Sequence, residues 1–535
     1  MGESQKRKVV LILLYENYTD IVPEEVGICI IAGLLRKNGY EVLLISKDIE
    51  ILDNKMLIEY QPDLIGYTVY QFNKNTVHNH IKKIKVLLPN TYISIGGIYA
   101  TYSCQEMMEE NKIIDFCIRG EGEQTFLELM NEISKKSNAY QTIDGLTYRM
   151  GEQIINNKDR ILKDNLDSLP FAARDFIEQR PMTIASIVGS RGCCANCSFC
   201  TSKIQWKNWR GRSIDNIIDE IEYLINDYHV KSFNFYDNSF EDPYINLDRL
   251  KEFTQKVIER NIKMYYNVYV RADFYKKATD EIMKLLVKSG FRSVEIGIES
   301  ANEHDLKLYN KIANPVDNVE IIEFMKKYEI LYHIDFINFN PYSTYENINT
   351  NLEYLYQYKS LFNFFSVLNI FNGTKIYEKV VSDGLFIQKD KNGNNQYSFV
   401  EPSIGNICRF LSDYKRYLIE EKNNAFNDIK WLLVFIELQL SYIKNQATEL
   451  KKNVYERCMR YFDVYYEIQN KVNNLFYNWI KRIIELGKCN KSYEEFEKYT
   501  RENNITSKLF ELFDGLKKLN EDVSKFNVYC SLLIN

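Results

Sequence analysis

The sequence has few of the features that mark membrane, secreted or nucleic-acid-binding proteins. Among its 535 residues are only 9 prolines and 5 histidines, and the formal net charge is −5. Its apolar runs are far shorter than the ~20 residues that a membrane-spanning helix needs. No dense Lys/Arg tract predicts binding to nucleic acid or to an anionic membrane. Because the N-terminus lacks the apolar region and cleavage site of a signal peptide, we expect a cytoplasmic protein without nucleic-acid or membrane partners.

The chain has 11 cysteines, but their number does not predict a disulfide framework, because cytoplasmic thiols stay reduced. Seven are scattered, and each is expected to be a small buried apolar side chain. These seven are Cys29, Cys104, Cys117, Cys408, Cys458, Cys489 and Cys530. The other four lie within "GSRGCCANCSFC", residues 189–200. A tight cluster in a reducing compartment indicates a metal site.

Three of the four clustered cysteines have the spacing C-x3-C-x2-C: Cys193, Cys197 and Cys200. They cannot complete a tetrahedral zinc site, which needs a fourth ligand. Three soft thiolates suit a [4Fe–4S] cluster that keeps one iron open. Two alternatives stay open: structural zinc, and a register that begins at Cys194 and is typical of a ferredoxin run. No C-x3-C-P follows to complete that run.

The segment "SRGCCANCSFC" resembles the signature CxxxCxΦC of the radical S-adenosylmethionine (SAM) enzymes, with Phe199 as the aromatic residue. Cys194 takes the position where the family often has proline, so it is interpreted as a non-ligand. The resemblance implies that the open iron binds the amino and carboxylate groups of SAM. It also implies cleavage of SAM to a 5′-deoxyadenosyl radical, and an electron donor such as flavodoxin or ferredoxin.

Residues 183–385 alternate strand-like and helical segments, the pattern of parallel βα units. About six units predict an open, partial (β/α)6 barrel, in which chemistry takes place at the C-terminal ends of the strands. The resemblance implies SAM contacts at Phe199, Asp237, Asn267, Arg271, Glu299 and Ser300, with Glu295 as an alternative. Each of these polar residues is about as well explained as a hydrogen-bonding residue at a strand end. No catalytic side chain is identified.

Residues 1–140 predict a doubly wound, flavodoxin- or Rossmann-like sheet, whose ligands bind at the carboxyl ends of its strands. This domain resembles the cobalamin (B12)-binding domain that precedes many radical SAM domains. The resemblance implies a cobalamin site at Thr68, Tyr70, Gln71, Gly96, Gly97, Gly120, Glu121 and Gly122. An alternative is a domain that has lost cobalamin.

The first histidine of the chain is His78, and the motif D-x-H-x-x-G is absent. Any cobalamin is therefore expected to have no protein histidine on cobalt. His78 and His80 are expected at exposed positions of a helix.

Residues 141–182 are predicted to be a connector that contains a hairpin, and residues 386–535 a helical domain. No proline follows Pro402, and apolar residues recur there at helical spacing. An aromatic stripe in this domain is expected to be core rather than a substrate site. It consists of Tyr461, Phe462, Tyr465, Tyr466, Phe476 and Trp479. The resemblance implies that this domain caps the barrel.

The leading hypothesis is a cobalamin-dependent radical SAM methyltransferase that acts on an unactivated carbon of a small natural product or peptide. In the reaction that the resemblance implies, one SAM methylates cob(I)alamin. A second SAM yields the radical that removes hydrogen from the substrate. The first alternative is a rearrangement or cyclisation without methyl transfer, with or without cobalamin. The alternative from another class is a single-cluster iron–sulfur electron-transfer protein.

Overall fold

The computed structural model describes residues 7–15, 24–179, 184–241, 243, 246–390, 393–447 and 452–534. Along the chain these residues form a doubly wound α/β sheet, an open barrel of parallel strands and a C-terminal group of helices. The predicted fold class is confirmed. No helix in the described part of the chain is long and apolar enough to cross a membrane.

The N-terminal sheet has seven strands in the order β2-β1-β3-β4-β5-β6-β7. The strands are β1 (Lys8–Tyr15), β2 (Glu41–Asp48), β3 (Leu64–Thr68), β4 (Tyr92–Gly96), β5 (Phe116–Ile118), β6 (Leu146–Met150) and β7 (Gln153–Asn156). The helices are α1 (Val26–Lys37), α2 (Asn54–Tyr60), α3 (Lys74–Leu87), α4 (Ile98–Glu110) and α5 (Gly122–Lys135). Strand β1 reads as a continuous apolar run because helices cover both faces of the sheet.

The first five strands are parallel, and the order β2-β1-β3-β4-β5 is that of the flavodoxin-like folds. Strands β6 and β7 form a hairpin within residues 141–182 that extends this sheet: β6 pairs antiparallel with β5, and β7 pairs antiparallel with β6. In such sheets ligands bind outside the carboxyl ends of the strands, where the strand order reverses. That position lies between β1 and β3.

The barrel has five parallel strands in the order β14-β13-β12-β11-β8. An isolated parallel bridge between Phe339 and Val367 takes the place of the predicted sixth strand. The five strands are β8 (Ile184–Ile187), β11 (Ser232–Phe235), β12 (Tyr265–Arg271), β13 (Phe291–Glu299) and β14 (Leu331–Phe336). Two short strands, β9 (Ser190–Arg191) and β10 (Arg210–Gly211), form a separate antiparallel pair. The helices are α6 (Asp175–Gln179), α7 (Ser202–Gln205), α8 (Ile214–Tyr228), α9 (Asp248–Glu259), α10 (Asp280–Ser289), α11 (Glu303–Leu308), α12 (Pro315–Lys327), α13 (Tyr345–Gln357) and α14 (Lys375–Ser382).

The C-terminal region begins with a small antiparallel pair and continues as five helices. Its elements are β15 (Phe386–Lys389), β16 (Asn395–Tyr397), α15 (Pro402–Glu420), α16 (Ala425–Ala447), α17 (Lys452–Lys488), α18 (Tyr493–Glu502) and α19 (Ile505–Ile534). One continuous apolar core joins these helices to the barrel. Most of the aromatic stripe is core, as predicted, but Tyr466 is 40% exposed.

Candidate functional site

The cysteine loop follows β8 and the short strand β9, at the carboxyl end of the first barrel strand. Cys193, Cys197 and Cys200 are partly exposed there. The Cys193 sulfur accepts a hydrogen bond from the Ala195 N–H (3.4 Å), and the Cys200 sulfur accepts one from the Ser202 N–H (3.4 Å). A hydrogen bond from Cys194 lowers the pKa of Cys193 to about 7. Backbone donors of this kind stabilise a thiolate.

The arrangement of the three cysteines differs from that of a mononuclear metal site. Within the described ranges, no three His, Cys, Asp or Glu side chains are grouped so as to hold one metal ion. Zinc sites place four ligands around a single ion, whereas each thiolate of a cubane cluster holds a separate iron. The residues present therefore fit a [4Fe–4S] cluster.

Arg271 reaches the cysteine loop from the end of β12. Its Nη1 lies 2.9 Å from the sulfur of Cys194, which is exposed. Two acidic residues hold the guanidinium: Glu241 is 3.3 Å away and Asp273 is 3.0 Å away. Glu241 is fully buried, and burial raises its pKa to about 7. The geometry thus places a fixed positive charge beside the candidate cluster.

Glu299 ends β13 in a left-handed backbone conformation, with φ +70°. A non-glycine residue held there stores ~1–3 kcal/mol of strain, which is common at functional sites. Its carboxylate lies 3.5 Å from the Lys311 ammonium, which also donates a 2.9 Å hydrogen bond to the Gly297 carbonyl. Burial raises the pKa of Glu299 to about 7. Lys311 was missed by the sequence reasoning, because no motif marks it.

Two of the predicted SAM contacts point into the protein. The Asp237 carboxylate accepts hydrogen bonds from the Gly189 N–H (2.7 Å) and the Ser190 hydroxyl (2.6 Å), and it is buried. The Ser300 hydroxyl lies in a fully buried network with Asp305 and Asn351. These contacts fix the ends of the strands rather than line an open site.

The remaining two predicted SAM contacts are Asn267, on β12, and Phe199, within the cysteine loop itself. Asn267 accepts a 2.9 Å hydrogen bond from the Ser293 hydroxyl on the neighbouring strand. Phe199 packs edge-on against Tyr309, with ring centroids 5.5 Å apart. The structure therefore brings Arg271 and Glu299 to the cysteine loop side of the barrel, and gives Asn267 a partner within the sheet.

A cavity of about 580 Å³ lies between the carboxyl edge of the N-terminal sheet and the cysteine loop. Seven predicted cobalamin-site residues line it: Thr68, Tyr70, Gly96, Gly97, Gly120, Glu121 and Gly122. Cys200 and Ser202 line the opposite side. Gln71 does not line this cavity, because its side chain hydrogen-bonds to Asn394 and Tyr102. The Tyr70 hydroxyl donates to Glu25 at 2.5 Å.

The lining of this cavity fits a flat, largely apolar ligand that the backbone approaches closely. Apolar side chains of β1 and α1 form much of its wall. At Gly120, with φ +70°, no atom lies within 4 Å of the position that a Cβ would take, so the backbone is open there. At Gly97, with φ +93°, a Cβ would instead lie 3.0 Å from the Val69 carbonyl oxygen, so this glycine is required by the turn itself.

No histidine lies among the residues that line this cavity. The expectation that His80 is exposed is wrong: only 2% of the residue is exposed, and its ring contacts the Tyr67 hydroxyl (3.0 Å) and Asn54 (2.9 Å). Burial lowers the pKa of His80 to about 4. His80 is therefore a neutral core residue, and the site offers no histidine nitrogen for cobalt.

An ion-pair network that the sequence did not reveal joins the N-terminal sheet to the barrel. Arg191, two residues before Cys193, lies 2.5 Å from Glu123 and 3.2 Å from Glu121. Arg210 on β10 also pairs with Glu121, at 2.5 Å. All four side chains are at least nine-tenths buried. The network ties the predicted cobalamin wall directly to the start of the cysteine loop.

Comparison with known families assigns both α/β domains. The B12 binding domain family matches residues 20–130, and the Radical SAM superfamily matches residues 187–355. An uncharacterized methyltransferase of Pyrococcus horikoshii is 24% identical over 410 residues, which cover 75% of this chain and 87% of that protein. The anaerobic magnesium-protoporphyrin IX monomethyl ester cyclase of Cereibacter sphaeroides is 26% identical over 348 residues. That match covers 61% of this chain and 56% of the cyclase.

The fold of the whole chain also resembles a solved structure. The cobalamin-dependent SAM radical enzyme OxsB, solved with aqua-cobalamin and SAM bound, superposes with a TM-score of 0.71 at 18% sequence identity. The superposition covers 97% of this chain and 80% of OxsB. It includes the C-terminal helices, so the three-part architecture is shared.

Proposed function

We propose that this chain, which belongs to the radical SAM enzymes with an N-terminal B12-binding domain, is a cobalamin-dependent methyltransferase. Its substrate would be a small molecule methylated at an unactivated carbon. The observation that carries the proposal is the cavity with Gly120 and Glu121 on one side and Cys200 on the other. A cofactor in this cavity would lie directly beside the cysteine loop. The similarity to the Pyrococcus methyltransferase supports the reaction type.

The residues of this chain form two neighbouring sites, one for the cluster and SAM and one for cobalamin. Cys193, Cys197 and Cys200 would hold a [4Fe–4S] cluster, and Arg271 and Glu299 would orient SAM beside it. When bound, the cluster and SAM supply hydrogen-atom abstraction, and cobalamin supplies the transfer of a methyl group. The role of the protein is to keep these groups in a fixed relation and to exclude water. A small redox protein such as flavodoxin or ferredoxin would deliver the electrons.

A cyclisation or rearrangement without methyl transfer is the second candidate, and the match to the cyclase favours it. The two candidates differ in what becomes of SAM. A methyltransferase converts one SAM to S-adenosylhomocysteine and cleaves another to 5′-deoxyadenosine and methionine. A cyclase of this kind would only cleave SAM.

We therefore expect the reconstituted, reduced protein with cobalamin and SAM to form both S-adenosylhomocysteine and 5′-deoxyadenosine. Without the natural substrate, S-adenosylhomocysteine should stop at about one per bound cobalamin, because the methyl group has no further acceptor, whereas uncoupled cleavage to 5′-deoxyadenosine continues slowly. Liquid chromatography with mass spectrometry measures both. Protein reconstituted without cobalamin is the control, and it should form 5′-deoxyadenosine alone. If S-adenosylhomocysteine is absent in both samples, the cyclisation alternative is favoured.

Retention of cobalamin is a separate prediction. Purified protein supplied with hydroxocobalamin should keep about one cobalamin per chain through gel filtration, as a buried cofactor does. Because no histidine lines the cavity, and because cobalamin is expected to bind here with its own base displaced, the electron paramagnetic resonance spectrum of the cob(II)alamin form should lack splitting from an axial nitrogen. Nitrogen splitting in that spectrum would contradict the proposed site.

A further inference from the structure

A second cavity, of about 960 Å³, lies between the barrel interior and the C-terminal helices. At its upper end are Phe199 and Glu299, next to the cysteine loop. Its lower part is lined by β13 and β14 on one side and by α16 and α17 on the other. We call this second cavity the chamber. It extends away from the candidate SAM contacts into the barrel, so a ligand in it could reach a SAM-derived radical.

The inner part of the chamber contains two carboxylates that have no hydrogen-bond or ion-pair partner in the described structure. Glu295 on β13 and Asp335 on β14 both line it. Burial and repulsion by Asp335 raise the pKa of Glu295 to about 7. The Asp335 side chain is accessible to solvent within the chamber. Two neighbouring carboxylates without a partner repel each other, so these two groups are suited to a positively charged ligand.

One positive side chain faces these carboxylates from the C-terminal domain. Lys430 on α16 attracts both Glu295 and Asp335, but its ammonium forms a long hydrogen bond to Asn363 (3.5 Å) rather than a closed ion pair. Burial lowers the pKa of His333 to about 4, so this neighbour is neutral. The inner chamber therefore holds two carboxylates and one ammonium, which leaves one negative charge without compensation.

The outer part of the chamber is aromatic. Trp431 on α16 is 50% exposed and Tyr466 on α17 is 40% exposed, and both line the chamber. Tyr466 stacks on Phe462, with centroids 5.7 Å apart. Exposed aromatic rings beside an opening are typical of surfaces that bind ligands.

We propose that the chamber is the substrate site, and that it takes a small molecule with a protonated amine and an apolar or aromatic body. The amine lies between Glu295 and Asp335, and the body lies against Trp431 and Tyr466. That the chamber holds the substrate rests on the proposed function. That it binds an amine does not depend on that function. The barrel strands supply the carboxylates for the amine, and the C-terminal helices supply the aromatic wall for the body.

The test compares three probes that share one body: phenethylamine, 2-phenylethanol and 3-phenylpropionate. Isothermal titration calorimetry is performed anaerobically on the reconstituted holoprotein, saturated with SAM and without reductant, at about pH 8, which is above the pKa of about 7 of Glu295. SAM occupies its own amine site, so the titration reports the chamber. Phenethylamine is expected to bind at least about tenfold more tightly than the other two probes, a difference of about 1.4 kcal/mol.

Variants locate the binding. Glu295→Gln and Asp335→Asn should each weaken phenethylamine binding about tenfold, as expected for loss of one charge partner. Lys430→Gln should strengthen it several-fold, because a competing cation is removed, and a misfolded variant could not show this gain. Glu303→Gln, an exposed carboxylate paired with Lys307 on α11 and away from the chamber, is the matched control and should bind as the wild type does.

Two results would overturn the inference: equal binding of phenethylamine and 2-phenylethanol, or a Lys430→Gln variant that binds phenethylamine no more tightly. Neither result concerns methyl transfer. A wild type that binds phenethylamine but forms no S-adenosylhomocysteine would overturn the proposed function alone.

Discussion

Replacing Cys193, Cys197 or Cys200 with alanine is expected to abolish both the iron–sulfur absorbance and the cleavage of SAM. Each thiolate holds one iron of a cubane, and the fourth iron must stay open to bind SAM. Reconstituted wild-type protein should contain about four irons and four sulfides per chain. Iron analysis, visible absorbance and 5′-deoxyadenosine formation measure the three effects.

Cys194→Ala is the matched control, because it removes a neighbouring thiol that the structure leaves exposed beside Arg271. This variant should keep the cluster and most of the SAM cleavage. If Cys194→Ala loses the cluster while Cys193→Ala retains it, the register that begins at Cys194 is the right one. A reproducible content of about eight irons would rule out a single cluster.

The architecture could be predicted from the sequence because the periodicity of its apolar residues is strong and is a local property of each segment. Apolar runs and helical patterns placed the strands and helices of all three regions, and the cysteine spacing located the loop. The pairing of β6 with β5 was not predictable, because an edge strand finds its partner through long-range contacts. The sequence also did not indicate that the sixth barrel strand is reduced to an isolated bridge between Phe339 and Val367.

Two predicted SAM contacts, Asp237 and Ser300, were chosen by residue type alone, and both lie on the buried side of their strand ends. Asp237 follows the parity of Phe233 and Phe235, which are core residues, whereas Tyr236 and Asn238 line the cavity beside the cysteine loop. Ser300 likewise follows the parity of the buried residues Ile296 and Ile298. Successive side chains of a strand point to opposite faces. This periodicity identifies Tyr236 and Asn238 as the residues of this segment that face the cavity.

The partners of the segment "RGEGE", residues 119–123, could not be found from the sequence, because they lie about 70 to 90 residues further on. Three residues of this segment, Gly120, Glu121 and Gly122, were predicted to form part of a cobalamin site. The structure adds that its glutamates bind Arg191 and Arg210, so one short segment both lines the cavity and joins two domains. The charges of these residues alone do not identify such buried pairs, because most charged residues form exposed ion pairs that contribute little to stability.

Arg191→Met is expected to lower the apparent Tm by roughly 3–5 °C in a chain of 535 residues. Removing one member of a buried ion pair typically costs about 3–5 kcal/mol, because the remaining charge is left without a partner. Here both Glu121 and Glu123 lose Arg191, although Arg210 still pairs with Glu121. The variant should also retain less cobalamin, because the wall that carries Glu121 is no longer fixed to the cysteine loop. Scanning calorimetry and gel filtration with bound cobalamin measure the two effects.

Two further variants separate this explanation from a general loss of surface charge. Lys112→Ala breaks an exposed pair with Glu152, whose side chains are 73% and 84% exposed, and it should change the Tm very little. Adding Glu123→Gln to Arg191→Met should restore part of the lost stability, because it removes the carboxylate that was left unpaired. The same change made alone should destabilise the protein, since Arg191 holds the pKa of the buried Glu123 below its usual value. If the double variant is no more stable than Arg191→Met, the ion pair between the two domains is not the cause of the loss.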